Sequence, residues 1–117
     1  MGKAKITIWH NNRCAKSREA MCVLDEQHAE VTVINYLTDT LTEDMLNDLL
    51  QKLNISAAEL VRTKEPLFKE KFAGKKMTEK QWVKVLVKFP VLIERPIVVK
   101  GKKAVIGRPV ENVMSLF

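Results

Sequence analysis

The chain has 117 residues, 46% hydrophobic and 29% charged, a length that fits one compact domain and excludes a second full one. No apolar run approaches the roughly 18 residues that span a bilayer, and Met1-Gly2-Lys3-Ala4-Lys5 leads straight into an alternating strand, so no membrane span or secretion signal is expected. The net charge of +6 is uneven, with 6 basic and 9 acidic side chains in residues 1–60 against 14 and 5 in residues 61–117; with no basic tail, no zinc-ligand pattern and only 6% aromatics, a small anion is a better-founded partner than nucleic acid.

Residues 4–9 read as a strand, followed by the loop His10–Arg13 and a helix from about Cys14 to His28, with Ser17, Ala20, Met21, Leu24 and His28 on one face. A second strand, Val31 to Tyr36, completes a βαβ unit, so the two strands should be parallel. Thr42-Glu43-Asp44 begins a helix that buries Leu46, Leu49, Leu50 and Leu53. Ser56–Glu59 and Thr78–Gln81 are capping boxes that start a short helix to Arg62 and a longer one with Trp82, Val85, Leu86 and Phe89 inward, which Pro90 stops. Thr63–Met77 reads as loop with at most a helical turn. Ile97–Val99 and Ala104–Ile106 form a hairpin, and Pro109 opens a last helix, Val110–Leu116. This order predicts an α/β protein: a thioredoxin-like mixed four-stranded sheet with flanking helices, one domain over 1–117 with a helical insertion at about 37–94.

Two cysteines occur, Cys14 and Cys22. Eight helical residues hold them about 12 Å apart, too far for a disulfide, so both thiols are expected free, as in a reducing cytoplasm. Cys22 and His28 read as packing residues, Trp9 and Trp82 as core. Cys14 falls at a helix start, where unpaired N–H groups and the dipole favour a thiolate. Ser17 can turn its hydroxyl toward the sulfur, Arg18 adds positive charge one turn on, and His10 is a possible donor at the strand's end. A cysteine in such a place can also be a small buried residue, but Arg13, Lys16 and Arg18 around it favour reactivity. The same helix terminus suits an oxyanion. A small tyrosine phosphatase would need Arg at the position of Ala20, and a dithiol oxidoreductase would need a second cysteine at Ser17, so a single-thiol cycle needs an outside reductant.

His10-Asn11-Asn12-Arg13-Cys14-Ala15-Lys16-Ser17-Arg18 resembles the His-Asn-Pro-x-Cys-x-x-Ser-Arg opening of the glutaredoxin-coupled arsenate reductases. Ile93–Val99 resembles their Arg-Pro-Ile-Val segment, and Gly107-Arg108-Pro109 their late Arg-Pro. The resemblance implies Cys14 as the arsenate-attacking thiolate with His10 beside it and Arg62, Arg95 and Arg108 as the oxyanion-binding trio; Arg18 and Ser17 complete the expected site. It implies glutathione as cosubstrate, glutaredoxin as partner, arsenic detoxification as the role, and no bound cofactor or metal. A cytoplasmic monomer is expected, without nucleic acid or membrane. Asn12 stands where the family has Pro. Related Spx-type regulators bind RNA polymerase without catalysis, which makes a regulator the alternative of another class; a thiol-disulfide or glutathionylation enzyme without arsenic substrate is a third. Composition bears on the arginines: with 15 Lys and 5 Arg in the chain, three of the five Arg stand at the oxyanion positions, where the guanidinium fork suits a tetrahedral anion better than Lys.

Overall fold

Alternation along Lys5–Trp9 produces the first strand, β1, with Ile6, Ile8 and Trp9 turned inward. The structure, a computed structural model, describes residues 4–117. After β1 come α1 (Ala15–Glu26), β2 (Glu30–Ile34), α2 (Glu43–Leu53), α3 (Ala57–Leu60), α4 (Pro66–Lys71), α5 (Glu79–Lys88), β3 (Ile97–Lys100) and β4 (Lys103–Ile106), with 3-10 turns at Pro90–Leu92 and Val110–Leu116. The chain divides into two compact units, one running to Asp39 and resuming over Arg95–Phe117, the other formed by Thr40–Glu94.

In the first unit the strands lie in the order β2-β1-β3-β4, with β1 parallel to β2 and both remaining pairs antiparallel. This is the mixed four-stranded α/β sheet of the thioredoxin-like fold. Its hairpin turns on Gly101, whose φ of +60° is the conformation that the first position of a two-residue hairpin loop requires. Ile6, Ile8 and Val98 from the sheet, Ala20 and Leu24 from α1, and Val113 and Leu116 from the last segment form one core. Truncating Leu24, fully buried there, to Ala should cost about 2–5 kcal/mol.

Local details of this unit depart from the sequence reading. The first is the end of α1 at Glu26, where His28 takes a left-handed φ of 55° while its N–H bonds Asp25 and that of Ala29 bonds Leu24, a Schellman motif that leaves His28 exposed. Cys22 is likewise exposed rather than packed. Next, β2 stops at Ile34 because the Asn35 N–H bonds the Asp39 carboxylate at 3.0 Å and its carbonyl accepts from Thr38 and Asp39, closing a turn. Finally, Val110–Leu116 is a 3-10 helix, in which Val113 and Leu116, three apart, stack on one buried face.

The second unit is helical. Thr42 caps α2 by accepting from the Met45 N–H at 3.2 Å, and Leu46, Leu49 and Leu50 are buried. Both capping boxes form. α4, where loop with at most a turn is the sequence reading, is six residues long; Pro66 opens it, and its Phe68 stacks on Trp82 at 6.2 Å. Phe72 just after it meets Trp82 and Phe89 at 5.9 and 5.8 Å, so tertiary packing holds a segment whose own pattern is weak. Trp82 is core, as is Trp9 in the first unit. Among the described residues no helix is long and apolar enough to cross a membrane.

Candidate active site

The turn after β1 delivers Cys14 to the start of α1. Asn11 organises that turn: its carbonyl accepts from the Cys14 N–H at 3.0 Å and its side-chain oxygen from the Arg13 N–H at 3.0 Å. Ser17, fully buried, accepts from the Asn11 N–H at 3.3 Å, and the exposed Arg18 donates to the Asn12 carbonyl at 3.2 Å. The Ser17 hydroxyl oxygen and the Arg18 guanidinium therefore tie the loop down from α1, so the cysteine is held by bonds on both flanks.

Cys14 is 7% exposed. Burial alone would push its thiol up, but the Ser17 N–H, the Arg95 charge, the Lys16 N–H and the Arg108 guanidinium outweigh it and hold the group below the ordinary cysteine range. The sulfur makes no full capping bond with α1, so the helix acts through N–H groups directed at it from the first turn. Arg108 reaches the sulfur directly: one of its terminal nitrogens is 3.5 Å from Sγ, while its Nε donates to the Arg95 carbonyl at 2.7 Å. Arg95 has Nε and one terminal nitrogen buried without a hydrogen-bond partner. Unmatched buried donors are costly, and an anion with several oxygens is the ligand that would satisfy them.

Gly107 sets how close these arginines come. Its N–H donates to the Pro96 carbonyl at 2.8 Å, and a Cβ on it would lie 3.0 Å from the Pro96 ring and 3.3 Å from Val113. The Arg95-Pro96 and Arg108-Pro109 bonds are both cis. His10 is buried, its Nδ1 unpartnered, and its pKa is lowered chiefly by burial, with an Asn12 hydrogen bond opposing and the Arg18 charge reinforcing. It is not among the groups that shift Cys14.

Arg62 belongs to the helical unit and is engaged there. Its N–H bonds the Leu92 carbonyl at 2.7 Å, one terminal nitrogen meets Glu65 at 2.9 Å, and its Nε meets Glu94 at 3.5 Å. Within the first unit, then, the structure brings Cys14, Ser17, Arg95 and Arg108 together, ties Arg18 of α1 to the loop through the Asn12 carbonyl, and buries His10 just after β1, its N–H donating to the Ile34 carbonyl at 2.9 Å. Sequence reasoning missed Asn11 as the organiser of the turn and Gly107 as the spacer; the Gly-Arg-Pro triplet was the available signal for the latter.

Chemically, a thiolate beside two guanidinium groups and a helix start can attack an electrophilic centre that carries oxyanion ligands. Comparison with known proteins bears on which one. Residues 9–116 match the ArsC family. An uncharacterized Escherichia coli protein, YfgD, is 43% identical over 114 residues, covering 96% of both chains. An arsenate reductase of Neisseria meningitidis is 35% identical over 114 residues, covering 96% of this chain and 97% of its own. The solved structure of an arsenate reductase from Vibrio cholerae matches with a TM-score of 0.94 at 34% identity, covering 99% of this chain and 100% of that one. With a family match over nearly its whole length and relatives this similar, the chain belongs to the ArsC family.

Proposed function

We propose that the chain is an arsenate reductase that works through Cys14 with glutathione and glutaredoxin as reductants. The observation that carries this reading is the Arg108 nitrogen 3.5 Å from the Cys14 sulfur, with the buried, unmatched donors of Arg95 beside it. Arg95 and Arg108 hold arsenate oxygens.

The Cys14 thiolate attacks arsenic, and one arsenate oxygen takes up protons and leaves as water, forming an S–As bond. A glutathione thiol then takes the arsenic from Cys14, losing its proton to solvent as Cys14 leaves as the thiolate it began as. A glutaredoxin thiol attacks the glutathione sulfur; the S–As electron pair stays on arsenic, which departs as arsenite, leaving a glutathione–glutaredoxin disulfide. Arsenic gains two electrons, two thiols lose them, and one water is released. The arginines act most strongly as sulfur attacks and charge builds on the oxygens. An external thiol is needed because Cys22 lies eight residues along α1, roughly 12 Å away by helical rise. Measuring arsenite formation with glutathione or glutaredoxin omitted in turn tests the reading: it expects product only with both, and product with neither would overturn the coupling.

A further inference from the structure

A guanidinium at the end of a long side chain is placed by its main chain as much as by its own bonds. Arg108 leaves the turn between β4 and the 3-10 helix Val110–Leu116, and the side chain of Asn112, on that helix, grips this turn twice: its Nδ2 donates to the Ile106 carbonyl and to the Arg108 carbonyl, each at 3.1 Å. The two acceptors stand on either side of Gly107, whose own N–H donates to the Pro96 carbonyl at 2.8 Å. The turn that carries Arg108 is thereby fixed from the helix after it as well as from the segment before β3.

Local geometry explains why an asparagine fits. The Asn112 N–H follows the 3-10 pattern and bonds the Pro109 carbonyl at 3.0 Å, so the Arg108 carbonyl, which an α-helical bond from that N–H would engage, accepts from the side chain instead. An amide nitrogen carries two hydrogens, one for each carbonyl. Val113 and Leu116 anchor the helix in the core, whereas Asn112 is exposed and its amide is spent on the turn.

We infer that Asn112 is a positioning residue for the chemistry of Cys14: by clamping the carbonyls of Ile106 and Arg108 it keeps one end of the Arg108 guanidinium at the sulfur and its Nε on the Arg95 carbonyl. The consequence for turnover rests on the proposed reductase reading; the clamp itself rests on the geometry.

Iodoacetamide labelling of Cys14 against pH, in Cys22→Ala protein, reads the clamp without arsenate. Asn112→Ala should move the midpoint of the profile upward by roughly half a pH unit, in the direction of Arg108→Gln, because an arginine held less often at the sulfur stabilises the thiolate less. The same substitution added to Arg108→Gln should move it no further, since the clamp then holds nothing that reaches the sulfur; a helix that merely loosens shifts both backgrounds alike. Asn112 is exposed, so the variants keep the fold. In the coupled assay kcat/KM for arsenate should fall about fivefold in Asn112→Ala, the order of one net hydrogen bond. Overlap of the Asn112→Ala and wild-type profiles, an equal shift in both backgrounds, or an unchanged kcat/KM in a protein that does reduce arsenate would overturn the inference. A shift that depends on Arg108 would sustain it even if no arsenate were turned over, in which case the reductase reading alone fails.

Discussion

Arg108 reaches Cys14 across 94 positions of chain, its terminal nitrogen 3.5 Å from the sulfur, and the same side chain donates through Nε to the Arg95 carbonyl at 2.7 Å. One guanidinium therefore reports the position of the second arginine to the nucleophile. Such a bridge uses the fork geometry of arginine, with donors on different edges of one rigid plane, and a lysine ammonium cannot span both contacts.

Arg108→Lys should for that reason fail although it keeps the charge. Loss of one preorganised donor typically costs about 10²-fold, and here both kcat and kcat/KM should fall, since the contacts tighten as sulfur attacks. Arg95→Lys should behave alike. Steady-state kinetics in the glutathione- and glutaredoxin-coupled assay measure this; wild-type rates in both variants would reduce the arginines to general electrostatics.

The thiolate itself can be read without substrate. Cys14 should alkylate rapidly at about pH 6, well below the range where an ordinary cysteine near 8.5 ionises, and Arg108→Gln should move the rate profile toward higher pH. Iodoacetamide labelling against pH in Cys22→Ala protein isolates the one sulfur. A Cys14 profile that matches a free cysteine peptide is the contrary result.

His10 links stability to pH. Burial, the largest influence, holds its pKa in the fold below the 6.5 of the free imidazole, with Asn12 opposing and Arg18 reinforcing. As pH falls through about 6.5 the unfolded chain takes up a proton that the folded chain does not, so stability is lost from there down to the folded pKa. His10→Gln removes this dependence: its urea midpoint should decline less than that of wild type between about pH 7 and pH 5. Parallel declines would place the titration elsewhere.

Gly107→Ala puts a methyl 3.0 Å from the Pro96 ring and 3.3 Å from Val113. The proline ring cannot swing away, so overpacking should cost about 1–3 kcal/mol and displace Arg95 or Arg108 from Cys14. Chemical denaturation gives the first effect and the alkylation profile the second. Unchanged stability would mean that the segment shifts freely.

How much of this was legible follows the range of the interactions. Thr42, Ser56 and Thr78 cap helices as read, because a cap is a bond between residues three apart. Cys14 at a helix start was legible for the same reason. α4 was not, since Phe68 and Phe72 are held by Trp82 and Phe89, beyond the reach of local pattern. His28 was misplaced because the apolar period runs on past Glu26 while a non-glycine residue takes the left-handed position that ends the helix. Arginine identity marked Arg95 and Arg108, but the bridge between them exists only once β3, β4 and the turn after β4 bring them to one end of the sheet.

In the proposed reaction one sulfur, Cys14, performs the attack on arsenate. Arsenite production by wild type, Cys14→Ser and Cys22→Ser with glutathione and glutaredoxin present tests it most directly. Product is expected from wild type and Cys22→Ser and none from Cys14→Ser. Arsenite from Cys14→Ser at the wild-type rate, or none from the wild type, would contradict it.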